Sequence, residues 1–81
     1  MQAHRFTLIL RQEPTPEQED LIFELFEGDA TVAVTNGVPV LYFTREAPSI
    51  EQGLRGAVRD LTRHGIDVER VEFAPSELEP A

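Results

Sequence analysis

The chain has 81 residues, fifteen acidic against seven basic, giving a net charge of −8, and it contains no cysteine. That length makes one domain around a single core and excludes two. The absence of cysteine excludes disulfides, thiol nucleophiles and thiolate metal sites, and the negative charge argues against direct nucleic-acid binding, which needs basic side chains to neutralise phosphates.

From His4 to Arg11 the residues alternate, with Phe6, Leu8 and Leu10 on one side and Arg5, Thr7, Ile9 and Arg11 on the other, the period of a half-buried strand. After Glu13-Pro14, the run Thr15-Pro16-Glu17-Gln18 opens a helix: Thr15 caps, Pro16 takes the first helical position, and Gln18 stands where a capping box needs it. Leu21, Ile22, Leu25 and Phe26 form its apolar arc, and Gly28 closes it. A second strand begins with Val32 and Val34, and Asn36-Gly37 is a two-residue hairpin turn that pairs Thr35 with Val38, Val34 with Pro39, Ala33 with Val40, Val32 with Leu41 and Thr31 with Tyr42. One face of this hairpin then carries Val32, Val34, Leu41 and Phe43, and the other Ala33, Val38, Val40 and Tyr42. Proline cannot donate to a ladder, so the third strand's inner neighbour is expected to pair only beyond Pro39.

Pro48-Ser49-Ile50-Glu51-Gln52 opens the second helix in the same manner as the first, with Ile50, Leu54, Ala57, Val58 and Leu61 at helical spacing and Gly65 at its end. Gly53 and Ala57 either let this helix approach a neighbour closely or are small residues merely tolerated. A last strand from Asp67 to Phe73 places Val71 and Phe73 on one side and Val68, Arg70 and Glu72 on the other. The domain is therefore 1–74, with 75–81 a flexible acidic tail.

The order βαββαβ, with right-handed crossovers and both helices on one face, predicts an α+β fold: a ferredoxin-like two-layer sandwich with an antiparallel sheet in the order 4-1-3-2. The uncovered sheet face is the candidate interaction surface, formed by Arg5, Ile9, Arg11, Val40, Tyr42, Val68 and Arg70 with an apolar centre of Ile9, Val40, Tyr42 and Val68. Scattered surface aliphatics are the competing interpretation.

Catalytic, cofactor and metal sites are not expected. His4 and His64 lack further ligands at metal spacing, and His64 suits the helix end. The carboxylates at Glu17, Glu19 and Asp20 sit at an exposed helix start, where nothing raises their pKa for acid catalysis. No phosphate loop, nucleophile elbow or zinc-protease motif occurs; an enzyme built on Tyr42, Arg5 and Arg11 would lack a positioned base. Asn36 to Phe43 looks superficially like the octapeptide of RNA-recognition modules, but Val38, Val40 and Ile9 stand where those modules stack bases on aromatic rings. Arg55, Arg59 and Arg63 form a row at helical spacing that reads as a solvated face balancing the acidic first helix, or as an anion contact. No stretch is long and apolar enough to span a bilayer and no signal peptide opens the chain, so a cytoplasmic location is expected.

His4-Arg5-Phe6-Thr7-Leu8, Asp29-Ala30-Thr31, Tyr42 through Glu51, Ala57-Val58-Arg59-Asp60-Leu61, and His64-Gly65-Ile66 through Arg70-Val71-Glu72 resemble a small N-terminal domain of bacterial, especially actinobacterial, proteins that precedes a helix-turn-helix DNA-binding segment. The resemblance runs to Leu78, and the DNA-binding helices that would follow Pro75-Ser76-Glu77-Leu78 are not in this chain, which is expected to act free-standing. The resemblance thus implies assembly rather than DNA binding. The expected function is a non-enzymatic protein-interaction or dimerisation module, regulatory in the manner of an antitoxin or modulator, partnered by itself or another protein; the alternative is a small-molecule-sensing domain that binds its ligand at a subunit interface. The edges formed by strands two and four are further candidate surfaces.

Overall fold

A computed structural model describes residues 2–77. The elements are β1 (Gln2–Leu10), α1 (Pro16–Phe26), β2 (Ala30–Thr35), β3 (Val38–Ala47), α2 (Ile50–Arg63), β4 (Val68–Glu72) and a 3-10 turn (Pro75–Glu77). Every strand pairing is antiparallel and the sheet runs β2-β3-β1-β4, the expected order read from its other edge. Both helices pack on one side, giving two layers around one core. Among the described residues no helix is long and apolar enough to cross a membrane.

Local chemistry sets each boundary. The Gln18 N–H donates to Thr15 Oγ1 (3.1 Å) and the Thr15 N–H donates to Gln18 Oε1 (2.9 Å), a closed capping box ahead of Pro16. The stop comes where expected, ahead of Gly28: Glu27 caps the helix in the left-handed backbone at φ 49° and Gly28 follows it at φ 89°. At α2 the likeness to α1 is looser. Ser49 caps by accepting from the Gln52 N–H (3.2 Å), and Pro48 precedes the cap instead of entering the helix. The end of α2 is a Schellman motif: the Gly65 N–H bonds the Thr62 carbonyl (3.0 Å), and the Ile66 N–H reaches back to Leu61 (2.9 Å). Gly65 sits at φ 79°, a value glycine adopts without a Cβ penalty, and Ile66 is buried along with Leu61. His64 Nδ1 lies 2.8 Å from the Asp60 carbonyl, so the imidazole satisfies one of the helix's last acceptors.

The β2–β3 hairpin follows its turn. Asn36 and Gly37 both have positive φ, the type I′ signature, and the five pairings from Thr35↔Val38 to Thr31↔Tyr42 are those expected. The pair closing such a turn exchanges hydrogen bonds, so by alternation Val34↔Pro39 is a pair that does not. The missing N–H of Pro39 therefore faces the β1 side, where the ladder begins one residue later, at Ile9↔Val40.

The core is formed by Phe6, Leu8, Leu10, Leu41 and Phe43 of the sheet, Ile22 and Phe26 of α1, Ile50, Ala57 and Leu61 of α2, and Ile66. Phe6 and Phe43 are cross-strand partners stacked at 4.9 Å, and Phe26 meets Phe43 edge-on at the same separation. Close approach by α2 needs Gly53, since a Cβ there would stand 3.3 Å from the Ala47 Cβ. Half-buried Arg45 fills the end of this layer, its guanidinium 5.5 Å from the centroid of Phe26 and donating to the Gly53 carbonyl (3.4 Å).

One expectation needs correction. β4 is a five-residue strand whose register against β1 shifts between Ile9↔Arg70 and Leu10↔Val68, leaving Glu69 as the extra residue of a bulge. The bulge reverses the phase of the alternation. Val68 thus turns to the helix side and packs against the core, and it leaves the open-face set. At the start of the expected tail, Pro75–Glu77 forms a turn whose Glu77 carboxylate reaches back to β1, with Oε1 3.5 Å from Arg5 Nε and Oε2 3.9 Å from His4 Nδ1. The rest of the expected tail, from Leu78, lies outside the described residues.

Candidate functional site: the uncovered sheet face

The alternation that sends Phe6, Leu8, Leu41 and Phe43 into the core sends their neighbours to the opposite face. The pairings arrange those neighbours in rows across the strands. One row is Arg70–Ile9–Val40–Ala33 and the next is Glu72–Thr7–Tyr42–Thr31, with Arg5 opposite Thr44 beyond them. Of the seven residues expected to form the site, Arg5, Ile9, Val40, Tyr42 and Arg70 share this face. Arg11 follows the end of β1 as an exposed residue whose N–H bonds the Asp67 carbonyl (3.1 Å). Val68 is on the other side.

The apolar centre differs from the expected one. Ile9 is only 3% exposed and Val40 6%, although no helix covers them. Ile9 and Val40 floor a hollow of about 250 Å³ rimmed by Thr7, Thr35, Asn36, Val38, Tyr42, Arg70 and Glu72. Tyr42 is the most accessible of the apolar groups here, at 46% against 37% for Val38 and Phe73, with its hydroxyl 3.3 Å from Thr35 Oγ1. It also borders a second hollow of about 440 Å³ toward the other end of the face, where Arg5, Glu72, Phe73 and Glu77 gather. Thr7, Tyr42 and Glu72 belong to both hollows, so the face is one trough with Tyr42 at its waist.

Charges on the face are locally compensated. Arg70 Nη1 is 3.1 Å from Glu69 and its Nε 3.5 Å from Glu72, while Arg5 meets Glu77. Surface pairs of this kind contribute at most about 1 kcal/mol each, and they set two arginines against three carboxylates, with Arg70 shared between two of them. Among the described residues no three His, Cys, Asp or Glu side chains come together as metal ligands would. His4 is buried on the helix side of β1, and its Nε2 has no hydrogen-bond partner among the described residues. In the α2 arginine row, Arg55 bonds Glu51 one turn earlier at 2.7 Å with both side chains exposed.

Three contributors escaped the reading of the sequence. Glu77 belongs to the trough because the chain turns back after β4, and no periodic pattern announces that. Arg45 lies inside the sandwich, visible only once Phe26 and Gly53 are known to flank it. Phe23 is 68% exposed on α1, and here a signal was present: it is an aromatic residue lying outside the arc of Leu21, Ile22, Leu25 and Phe26. No protein-family model, curated protein or solved structure matches the chain.

Proposed function

We propose that this chain is a non-enzymatic interaction module of ferredoxin-like topology that pairs with a second copy through the uncovered face, in a regulatory role of the antitoxin or modulator kind. Kinship with the N-terminal domains of actinobacterial helix-turn-helix proteins is part of the same proposal. The observation that carries it is Tyr42, an exposed aromatic at the waist of a trough whose two arginines are both paired with carboxylates. Two copies of a chain with net charge −8 can meet there against carboxylates, Glu69, Glu72 and Glu77, that each have an arginine partner. Light scattering after size exclusion is expected to find a dimer, and Tyr42→Asp a monomer with unchanged circular dichroism. A wild-type monomer at high concentration, or a dimer that survives the substitution, would sink the proposal.

The 440 Å³ hollow supports a second reading. Its volume falls within the range of small-molecule sites, and it combines the Phe73 ring with Arg5 and two carboxylates, a set suited to an amino-acid-like ligand. Thermal unfolding against a metabolite library separates the readings, since a ligand at about 100 times its Kd stabilises by about 2.7 kcal/mol. A ligand that raises the melting temperature of wild type and not of Arg5→Ala would favour sensing.

A further inference from the structure

The two edges of the sheet are unequal. β4 is five residues long, bulged, and carries Glu69, Arg70 and Glu72, three devices that keep an edge from pairing with another chain. β2 has none of them. Its six residues, Ala30–Thr35, include no charge and no proline, and Val34 is 51% exposed.

The hairpin register fixes which backbone groups of β2 are free. Thr35, Ala33 and Thr31 exchange hydrogen bonds with β3, so the N–H and C=O groups of Val34 and Val32 point away from the sheet. Beside them, Ile22, Phe23, Gly28, Ala30 and Val32 line a groove of about 360 Å³ between α1 and the edge, with Glu19 at its rim. Phe23, the most exposed large apolar residue among those described, overhangs it.

Charge chooses the occupant. Between Arg11 and Arg45 the chain has no basic residue and seven carboxylates, from Glu13 to Asp29, while the other eight acidic residues are offset by all seven arginines. The segment containing α1 and β2 thus carries seven of the eight net negative charges. A second copy docking edge to edge would bring two such segments together, which like-charge repulsion opposes. We infer that β2 accepts an extended, basic segment of a protein partner as a fifth strand, bonding the backbone of Val32 and Val34, with apolar side chains against Phe23 and the groove and arginine or lysine near the α1 carboxylates. Phe23, Val32 and Val34 are not among the residues of the trough, so Tyr42→Asp is expected to leave binding at this edge in place.

The test uses the whole chain and a synthetic peptide of about six residues alternating valine and arginine, matched to common strand length. Its counterpart with glutamate in place of arginine is the control. Amide exchange followed by NMR is expected to slow at Val32 and Val34 with the basic peptide only. Binding should weaken at least tenfold when salt rises from about 0.1 to about 1 M, which cuts the screening length from about 10 to about 3 Å. Val34→Pro removes an outward N–H without touching the β3 ladder, and it should abolish binding while the remaining amide spectrum stays folded. Phe23→Ser, at an exposed position, should weaken binding with no loss of stability. No binding of the basic peptide up to about 1 mM, equal binding by Val34→Pro, or protection of Val32 and Val34 by a second copy at high protein concentration would each overturn the inference.

Discussion

Gly53 and Gly56 lie on the same helix and differ by what a methyl group would meet. At Gly53 the added carbon would press on Ala47 at 3.3 Å and approach the Phe6 ring at 3.8 Å; at Gly56 it would touch only the flexible end of Arg45, at 3.6 Å. Alanine is a better helix former than glycine by about 0.8–1.0 kcal/mol. Gly56→Ala should therefore raise unfolding stability by about 0.5–1 kcal/mol, and Gly53→Leu should lower it by about 1–3 kcal/mol because it overpacks the contact between α2 and the sheet. Urea titration of both variants reads the difference. Equal effects at the two sites would mean that α2 does not approach the sheet at Gly53. Composition alone shows two glycines in a helix; only the neighbours distinguish them.

At the scale of elements, what was legible followed from local rules. Alternation in β1, the Asn36-Gly37 turn and the Thr15–Gln18 box each act over a few residues, and the register of the whole hairpin follows from one turn. Pro39 was legible for the same reason, since its missing donor has a fixed direction once the turn is known. The β4 bulge was not legible. Val68, Glu69, Arg70 and Val71 contain no glycine or proline to mark it, and the phase shift arises from pairing with a strand nearly sixty residues away in sequence. Nor could alternation show that Ile9 and Val40 are covered on this face, because that depends on the side chains that β2, the hairpin turn and β4 bring around them. Five of the seven expected site residues thus came from periodicity, while the exposure that decides their chemistry came from tertiary shape.

At the scale of the molecule, the uneven charge has an energetic consequence that can be measured without any partner. On α1, Asp20 and Glu24 are one turn apart and Glu24 stands in the last turn, which has no basic residue. Like charges at this spacing cost about 0.2–0.5 kcal/mol, and an anion near a helix C-terminus is opposed by the dipole. Replacing Glu24 with arginine removes both penalties, and no basic residue elsewhere in the segment already offsets them. Glu24→Arg should stabilise the fold by about 0.5–1 kcal/mol in dilute buffer and by much less in about 1 M salt, where screening suppresses surface electrostatics. Urea unfolding at the two ionic strengths checks this, and a gain that survives high salt would point to helix propensity or packing instead. The same substitution is expected to weaken the basic valine–arginine peptide at the β2 edge. A carboxylate that costs stability in the free chain and strengthens attachment of a basic strand has its compensation in binding, so the two measurements on Glu24→Arg should move in opposite directions.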